Sequence, residues 1–173
     1  MNATIRHQEA AGLVAASPDA VFAHLDDQTR LAAHMSRRSW MMGGGRMTYE
    51  FDQEHGQAVG SHIRMGGSAF GIGLALDEVV TERNPPTRKA WRTVGETRLI
   101  VVGAYTMGFD LAPANPGTRV EVWIDYALPR TGIGRWFPSL SDAYARWCVQ
   151  QMVRDTVAAF ASTPSATRNH DQG

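Results

Sequence analysis

Between Met47 and Tyr126 the sequence alternates strand-like segments with turn-forming residues and carries no helical periodicity, which limits the fold more than any other feature. Residues 47–51 and 61–65 alternate apolar and polar side chains, and 74–80 is apolar around two consecutive acids. Residues 89–94 centre on Trp91, 98–111 read as one long strand, and 119–126 alternate cleanly. Turn chemistry separates them: His55-Gly56, Asn84-Pro85-Pro86, Gly95-Glu96 and the Pro- and Gly-rich stretch 112–117. Strands joined by short turns, with no crossover helices between them, predict one antiparallel sheet.

Helices flank this block. Residues 3–16 read as a first strand. Ser17 is then a helix N-cap, Pro18 suits the first helical position, and Asp19 suits the positive end of the helix dipole. Val21, Phe22 and Leu25 fall on one helical face. A second short helix is expected from near Asp27, with Leu31 and Met35 on one side, ending at Gly43-Gly44-Gly45. After the strands, Ser139-Leu140-Ser141-Asp142 resembles a capping box at the start of a long helix. Leu140, Tyr144, Trp147, Cys148, Met152, Thr156 and Phe160 follow at spacings of three or four, beside a stripe of Val149, Val153 and Val157. Asp142 and Arg146 are spaced for an ion pair. The polar stretch 162–173 has no periodicity and is expected to be a disordered tail to a single domain of residues 1–161.

The composition removes several classes of function. Lys plus Arg equals Asp plus Glu, 17 against 17, so no basic excess points to nucleic acid. The arginines are scattered and form no polybasic run for a membrane surface. No segment is apolar for the roughly 20 residues that span a bilayer, and no secretory signal opens the chain, so a cytoplasmic location is the expectation. The one cysteine, Cys148, has no partner in the chain for a disulfide and reads as a small buried hydrophobe. The histidines show no metal-ligand spacing, and no nucleotide-binding fingerprint occurs, so neither a metal nor a cofactor is expected. The glycine-rich run 66–73 lies between strands and lacks a following helix. It reads as a flexible hairpin tip, not a phosphate cradle.

Three stretches carry a family resemblance. Ala16-Ser17-Pro18-Asp19-Ala20-Val21-Phe22 resembles the entry to the first helix of the START-like (SRPBCC) superfamily. Val80-Thr81-Glu82-Arg83-Asn84-Pro85-Pro86 followed by Trp91 resembles its central hairpin. Phe109-Asp110-Leu111-Ala112-Pro113 with Gly117-Thr118-Arg119-Val120 resembles its penultimate hairpin. The resemblance implies the helix-grip fold of the α+β class: a curved antiparallel sheet of about seven strands wrapped around a long C-terminal helix, with two short helices after the first strand. It also implies a cavity for an apolar small molecule between sheet and helix. None of the three stretches is a catalytic motif.

Strand parity selects the residues that would face such a cavity. Leu99, Val101, Tyr105, Met107, Phe109 and Leu111 share a face, as do Val120, Val122, Ile124 and Tyr126. Leu76, Met65 and Trp91 are further wall candidates, Met35 would close one end, and the long helix would add Tyr144, Trp147 and Met152. Asp77 and Glu78 are consecutive, so one carboxylate must point inward, and Glu78 shares its face with Leu74, Leu76 and Val80. An inward carboxylate on an apolar wall has a raised pKa and can anchor a ligand or move a proton. Alternatively it lies near the strand end, in solvent or paired with Arg92 or Arg64. Tyr105 and Tyr126 are the other polar tips expected at a ligand. Trp123 falls on the outer face, as a partner surface or a cover for the strand. The loop carrying Arg130 to Phe137 could gate the pocket or pack on a neighbour, as in a homodimer.

Three functions fit. The first is binding of an apolar or aromatic small molecule (lipid-, polyketide- or hormone-like) without obligatory chemistry. The second is a metal-free cyclase, aromatase or dehydratase in which Glu78 or Asp77 works with Tyr105, Tyr126 or an arginine as proton donor and acceptor. The third is a protein-interaction module of the chaperone-activator type.

Overall fold

The computed structural model describes residues 4–27, 47–69 and 72–161. The predicted second helix, with Met35, and the tail 162–173 lie outside them. Seven strands form a single antiparallel sheet: β1 (Arg6–Val14), β2 (Met47–Phe51), β3 (His62–Ala69), β4 (Ile72–Asn84), β5 (Arg88–Arg98), β6 (Tyr105–Pro113) and β7 (Thr118–Tyr126). Their order across the sheet is β1-β7-β6-β5-β4-β3-β2. Every neighbour from β2 to β7 is joined by a hairpin, and β1 closes the far edge against β7. Helix α1 (Pro18–Asp26) follows β1, and a short α2 (Ile133–Trp136) precedes the long α3 (Pro138–Ala161). This is the expected helix-grip arrangement. No helix among the described residues is long and apolar enough to cross a membrane.

Local chemistry accounts for the first helix. Ser17 has extended backbone and its hydroxyl accepts from the Ala20 amide, while Pro18 occupies the first turn where its missing N–H is not needed. Val21, Phe22 and Leu25 are buried from that helix, and Phe22 meets Phe109 of β6 edge-on at 5.6 Å. The core continues through Leu111, Val120, Val122 and Ile124 on the inner face of β6 and β7.

Helix α3 packs on β1 and β7. It buries Ser141, Ala145, Val149, Val153 and Thr156. The approach is close enough to require glycine on the strand, since a Cβ at Gly12 would stand 2.6 Å from Val153 Cγ1. Valine has no free rotamer in a helix with which to retreat. Gly12→Ala is therefore expected to cost about 1–3 kcal/mol in urea denaturation, the usual range for overpacking. A loss below about 0.5 kcal/mol would mean that α3 is not held tightly on β1.

Several sequence expectations need correction. The long strand 98–111 is two strands, because residues 99–104 leave the sheet. There Gly103 N–H donates to Ala127 O at 2.8 Å and Ala127 N–H to Ala104 O at 2.9 Å, so this connection bonds to the end of β7. Within it Val102 is the buried residue, not Val101. The capping box does not form. The Ser141 hydroxyl donates to Val101 O at 2.5 Å, and Asp142 takes Arg6 at 2.6 Å as partner, not Arg146. Arg146 donates to Gln8 instead. Leu140, placed on the apolar face by its spacing, is exposed. Trp123 has a local role on the outer face: its indole N–H donates to Asp110 at 2.8 Å and the Arg88 guanidinium lies 5.3 Å over its ring.

Candidate functional site

The register of β4 decides which acid points inward. Glu78 pairs with Ile63 on one side and Thr93 on the other, and it is buried with Ile63, Val80 and Trp91. Asp77 faces outward, 2.9 Å from His62 Nδ1 and 3.6 Å from the Arg64 guanidinium. Arg64 therefore does belong to a carboxylate, but to Asp77. Glu78 is neither solvent-exposed nor paired with Arg92 or Arg64.

Glu78 instead accepts a hydrogen bond from the Tyr105 hydroxyl, and the Trp91 indole is a second donor toward it. Tyr105 is placed by its own strand start, since its backbone N–H donates to Thr93 Oγ1 at 3.1 Å. Thr93 is the cross-strand partner of Glu78, so one residue aligns both members of the pair. Burial pushes the Glu78 carboxyl up to about 7 despite these donors, with Asp77 adding to the rise and Lys89 opposing it. The same burial, together with the neighbouring carboxylate, holds the Tyr105 phenol well above its usual value. At neutral pH the pair is thus a carboxyl divided between its two protonation states, beside a hydroxyl that keeps its proton.

Three more polar side chains surround this pair. Tyr144 and Cys148 lie one helical turn apart on α3, close enough for each to shift the other's titration. Burial raises the Cys148 thiol to about 11, so it is no nucleophile. The nearby Cys148 sulfur, then burial, raise the Tyr144 phenol above its usual range. Tyr49 on β2 is the third. Its hydroxyl is buried, has no hydrogen-bond partner among the described residues, and is raised by burial and by the charge of Glu78.

The remaining predicted wall residues divide into two groups. Met107, Val122 and Tyr126 are closed into the core between β6, β7 and α3. Leu76, Met65, Tyr105, Tyr144, Trp147 and Met152 are half-buried, as is Tyr49. Tyr49, Met65 and Leu76 stand in one row across β2, β3 and β4. On α3 the Trp147 ring lies 6.1 Å from that of Tyr144, tilted by 32°. The Tyr126 hydroxyl is committed elsewhere, donating to Asp142 at the start of α3, and burial with that bond pushes it up to about 12.

Sequence reasoning missed Tyr49 and Cys148. Parity already placed Tyr49 with Met47 and Phe51 on one face of β2, and Cys148 lay on the stripe of Tyr144 and Met152. It also missed a buried ion cluster beside the site. Lys89, fully buried, donates to Asp26 Oδ1 at 2.7 Å and to the Asp26 carbonyl at 3.3 Å, while Arg83 donates to Asp26 Oδ2 at 2.8 Å. Lys89 shares its strand face with Trp91, so the same parity rule applied there would have found it.

A family model described as "Polyketide cyclase / dehydrase and lipid transport" matches residues 8–163. No curated protein matches the sequence. Among solved structures, Ara h 8.0201 is similar with a TM-score of 0.64 and 11% identity over 92% of this chain and 100% of that one. Truncated norcoclaurine synthase from Thalictrum flavum gives a TM-score of 0.61 at 13% identity over 94% and 96% of the two chains. The di-domain ARO/CYC BexL from the BE-7585A biosynthetic pathway gives 0.62 at 15% identity, over 92% of this chain and 50% of that one. At these identities the structural likeness concerns the fold.

Proposed function

The chain belongs to the polyketide cyclase / dehydrase and lipid transport family, within the START-like superfamily, and from that premise we infer that it holds an apolar or aromatic small molecule in one domain of residues 1–161. The molecule lies along the half-buried side chains between sheet and α3, with its polar end against Glu78, Tyr105 and Tyr49. The observation that carries this reading is the Tyr49 hydroxyl, buried without a partner among the described residues and facing the charge of Glu78. A buried polar group left unpaired costs about 1–3 kcal/mol, and a ligand oxygen would remove that cost. A wall of flexible methionine and aromatic side chains suits a molecule with a hydrocarbon body.

A second reading, proton-transfer chemistry of the cyclase or dehydratase kind, is favoured by the contact of two titratable groups, one of them balanced near pH 7. In its ionised form Glu78 would accept a proton from the bound molecule and later return it. Tyr49 or Tyr105 would hydrogen-bond the oxygen on which negative charge develops. Two of the structural relatives are named as a synthase and an ARO/CYC protein, which agrees with this reading.

Native mass spectrometry of the protein purified from its own host is expected to show a non-covalent small-molecule adduct. Tyr49→Phe should weaken binding of that molecule by about fivefold to tenfold, the worth of one hydrogen bond, and leave the unliganded protein at least as stable. No adduct from the host, and no binding across a broad panel of apolar and aromatic ligands, would overturn the proposal.

A further inference from the structure

Exposed apolar side chains are unevenly distributed on this protein. Among the described residues seven large hydrophobics are exposed, and four of them, Ile133, Trp136, Phe137 and Leu140, lie within a single turn-helix segment. Trp136 is 77% exposed and Phe137 59%. Single exposed hydrophobics are ordinary, but a contiguous group containing two aromatics marks a contact surface.

The segment is fastened to the body of the protein. Gly134 N–H donates to Ile100 O at 3.1 Å, and a Cβ on Gly134 would stand 2.0 Å from Val101 O, so the two backbones touch. The Ser141 hydroxyl reaches the same Val101 carbonyl. The aromatic rings are therefore held outward by the fold. On the same segment Arg130 and Arg135 are exposed, and from residue 127 to 141 there is no Asp or Glu. The next acid, Asp142, is already engaged by Arg6 and Tyr126.

We propose that this patch docks the protein peripherally on an anionic lipid bilayer. Trp136 and Phe137 would enter the boundary between headgroups and acyl chains, where amphipathic rings are most stable, and Arg130 and Arg135 would face the lipid phosphates. The charge pattern selects this occupant. Two exposed arginines, with no ion pair among the described residues and with Arg135 bonded only to the Arg130 carbonyl at 3.1 Å there, complement a plane of phosphates. Apolar burial supplies most of the affinity, so the polybasic run that the sequence lacks is not required. The patch adjoins residues 99–104, which lead directly into Tyr105 of the interior site, so docking would bring one end of that site to the membrane. The proposal stands independently of what the interior binds.

Co-sedimentation of the full chain with vesicles of phosphatidylcholine containing about 30% phosphatidylglycerol tests it, with pure phosphatidylcholine as the comparison. The protein is expected to sediment with the anionic vesicles. The partition coefficient should fall about tenfold or more in Trp136→Ala/Phe137→Ala, and several-fold in Arg130→Gln/Arg135→Gln or on raising salt to about 1 M. Both double variants should keep the wild-type circular dichroism and melting temperature, since the substituted side chains are exposed. Absence of wild-type binding would overturn the proposal, as would equal binding by a folded Trp136→Ala/Phe137→Ala variant. So would a wild-type dimer that this variant converts to monomer without any vesicle binding, because the patch would then join two copies.

Discussion

Replacing Glu78 by Gln is expected to leave the protein folded, to make it more stable than the wild type above pH 8, and to abolish the pH dependence of whatever its interior does near neutrality. Glu78 is buried, and its carboxyl stands at about 7 in the fold against an ordinary value near 4.5. The folded protein therefore holds this proton more tightly than the unfolded chain does. The stability this represents is fully present below the ordinary carboxylate range and is lost as pH rises through about 7. The difference amounts to about 3 kcal/mol between pH 4 and pH 8, all of it destabilising on the alkaline side. Glutamine keeps the shape and an acceptor for the Tyr105 hydroxyl, but it does not ionise. Urea denaturation across this range should show the wild type declining and Glu78→Gln level by comparison. If the interior performs proton transfer, the same substitution should lower turnover by about 10²- to 10⁴-fold with a small change in ligand affinity. If it only binds, affinity alone should lose its inflection near pH 7. A Glu78→Gln protein that fails to fold would show that the carboxylate is a structural partner, and both readings of the site would lose their anchor.

The inward direction of Glu78 was legible in the sequence, because Leu74, Leu76 and Val80 share its parity and a strand offers only two faces. That Tyr105 faces the same interior was legible too, but which carboxylate it meets was not. Tyr105 lies 27 positions away and arrives through two cross-strand steps, β4 to β5 and β5 to β6. Alternation from Val120 to Tyr126 told burial correctly, since one face of β7 meets α3 and the other meets solvent. The break at residues 99–104 was hidden by an apolar, β-branched run that looks like strand. What removes it from the sheet is backbone bonding to Ala127 and Gly134, and no local pattern encodes that. Ser141 and Asp142 misled for a related reason. Ser141 lies within the first turn of α3 and Asp142 holds the acidic position of the expected box, yet their partners are Val101 and Arg6, both distant in sequence. At the start of α3 local chemistry predicted the element and missed the contacts, whereas Ser17 caps its own helix as the sequence predicts.

Removing the Asp26 carboxylate should be the most damaging single change outside the apolar core. Lys89 is fully buried on the inner face of β5, and its ammonium bonds both the Asp26 carboxylate and the Asp26 carbonyl at the C-terminus of α1. It thereby caps the negative end of the helix and ties it to the sheet. Burial would raise the Asp26 carboxyl, but hydrogen bonds from Arg83 and Lys89 outweigh it and hold the group below its ordinary value. Burial meanwhile pulls the Lys89 ammonium down, an effect that Asp26 only partly offsets. Asp26→Ala leaves that ammonium in the interior without its counter-charge, which typically costs about 3–5 kcal/mol, a large part of the roughly 5–15 kcal/mol that keeps a domain folded. Lys89→Met should cost less, because Asp26 keeps Arg83 at the rim of the cluster. The double variant Asp26→Leu/Lys89→Met should recover most of the loss, since an apolar pair carries no desolvation penalty. Because the folded Asp26 titrates low, the cluster's contribution is complete above the ordinary carboxylate range and disappears as pH falls through the depressed value. Glu78 thus weakens the fold toward alkaline pH and Asp26 weakens it toward acid, and urea denaturation of Glu78→Gln and Asp26→Ala across pH separates the two contributions. If Asp26→Ala melts within about 1 kcal/mol of the wild type, Lys89 does not depend on Asp26 and α1 is held by its apolar face alone.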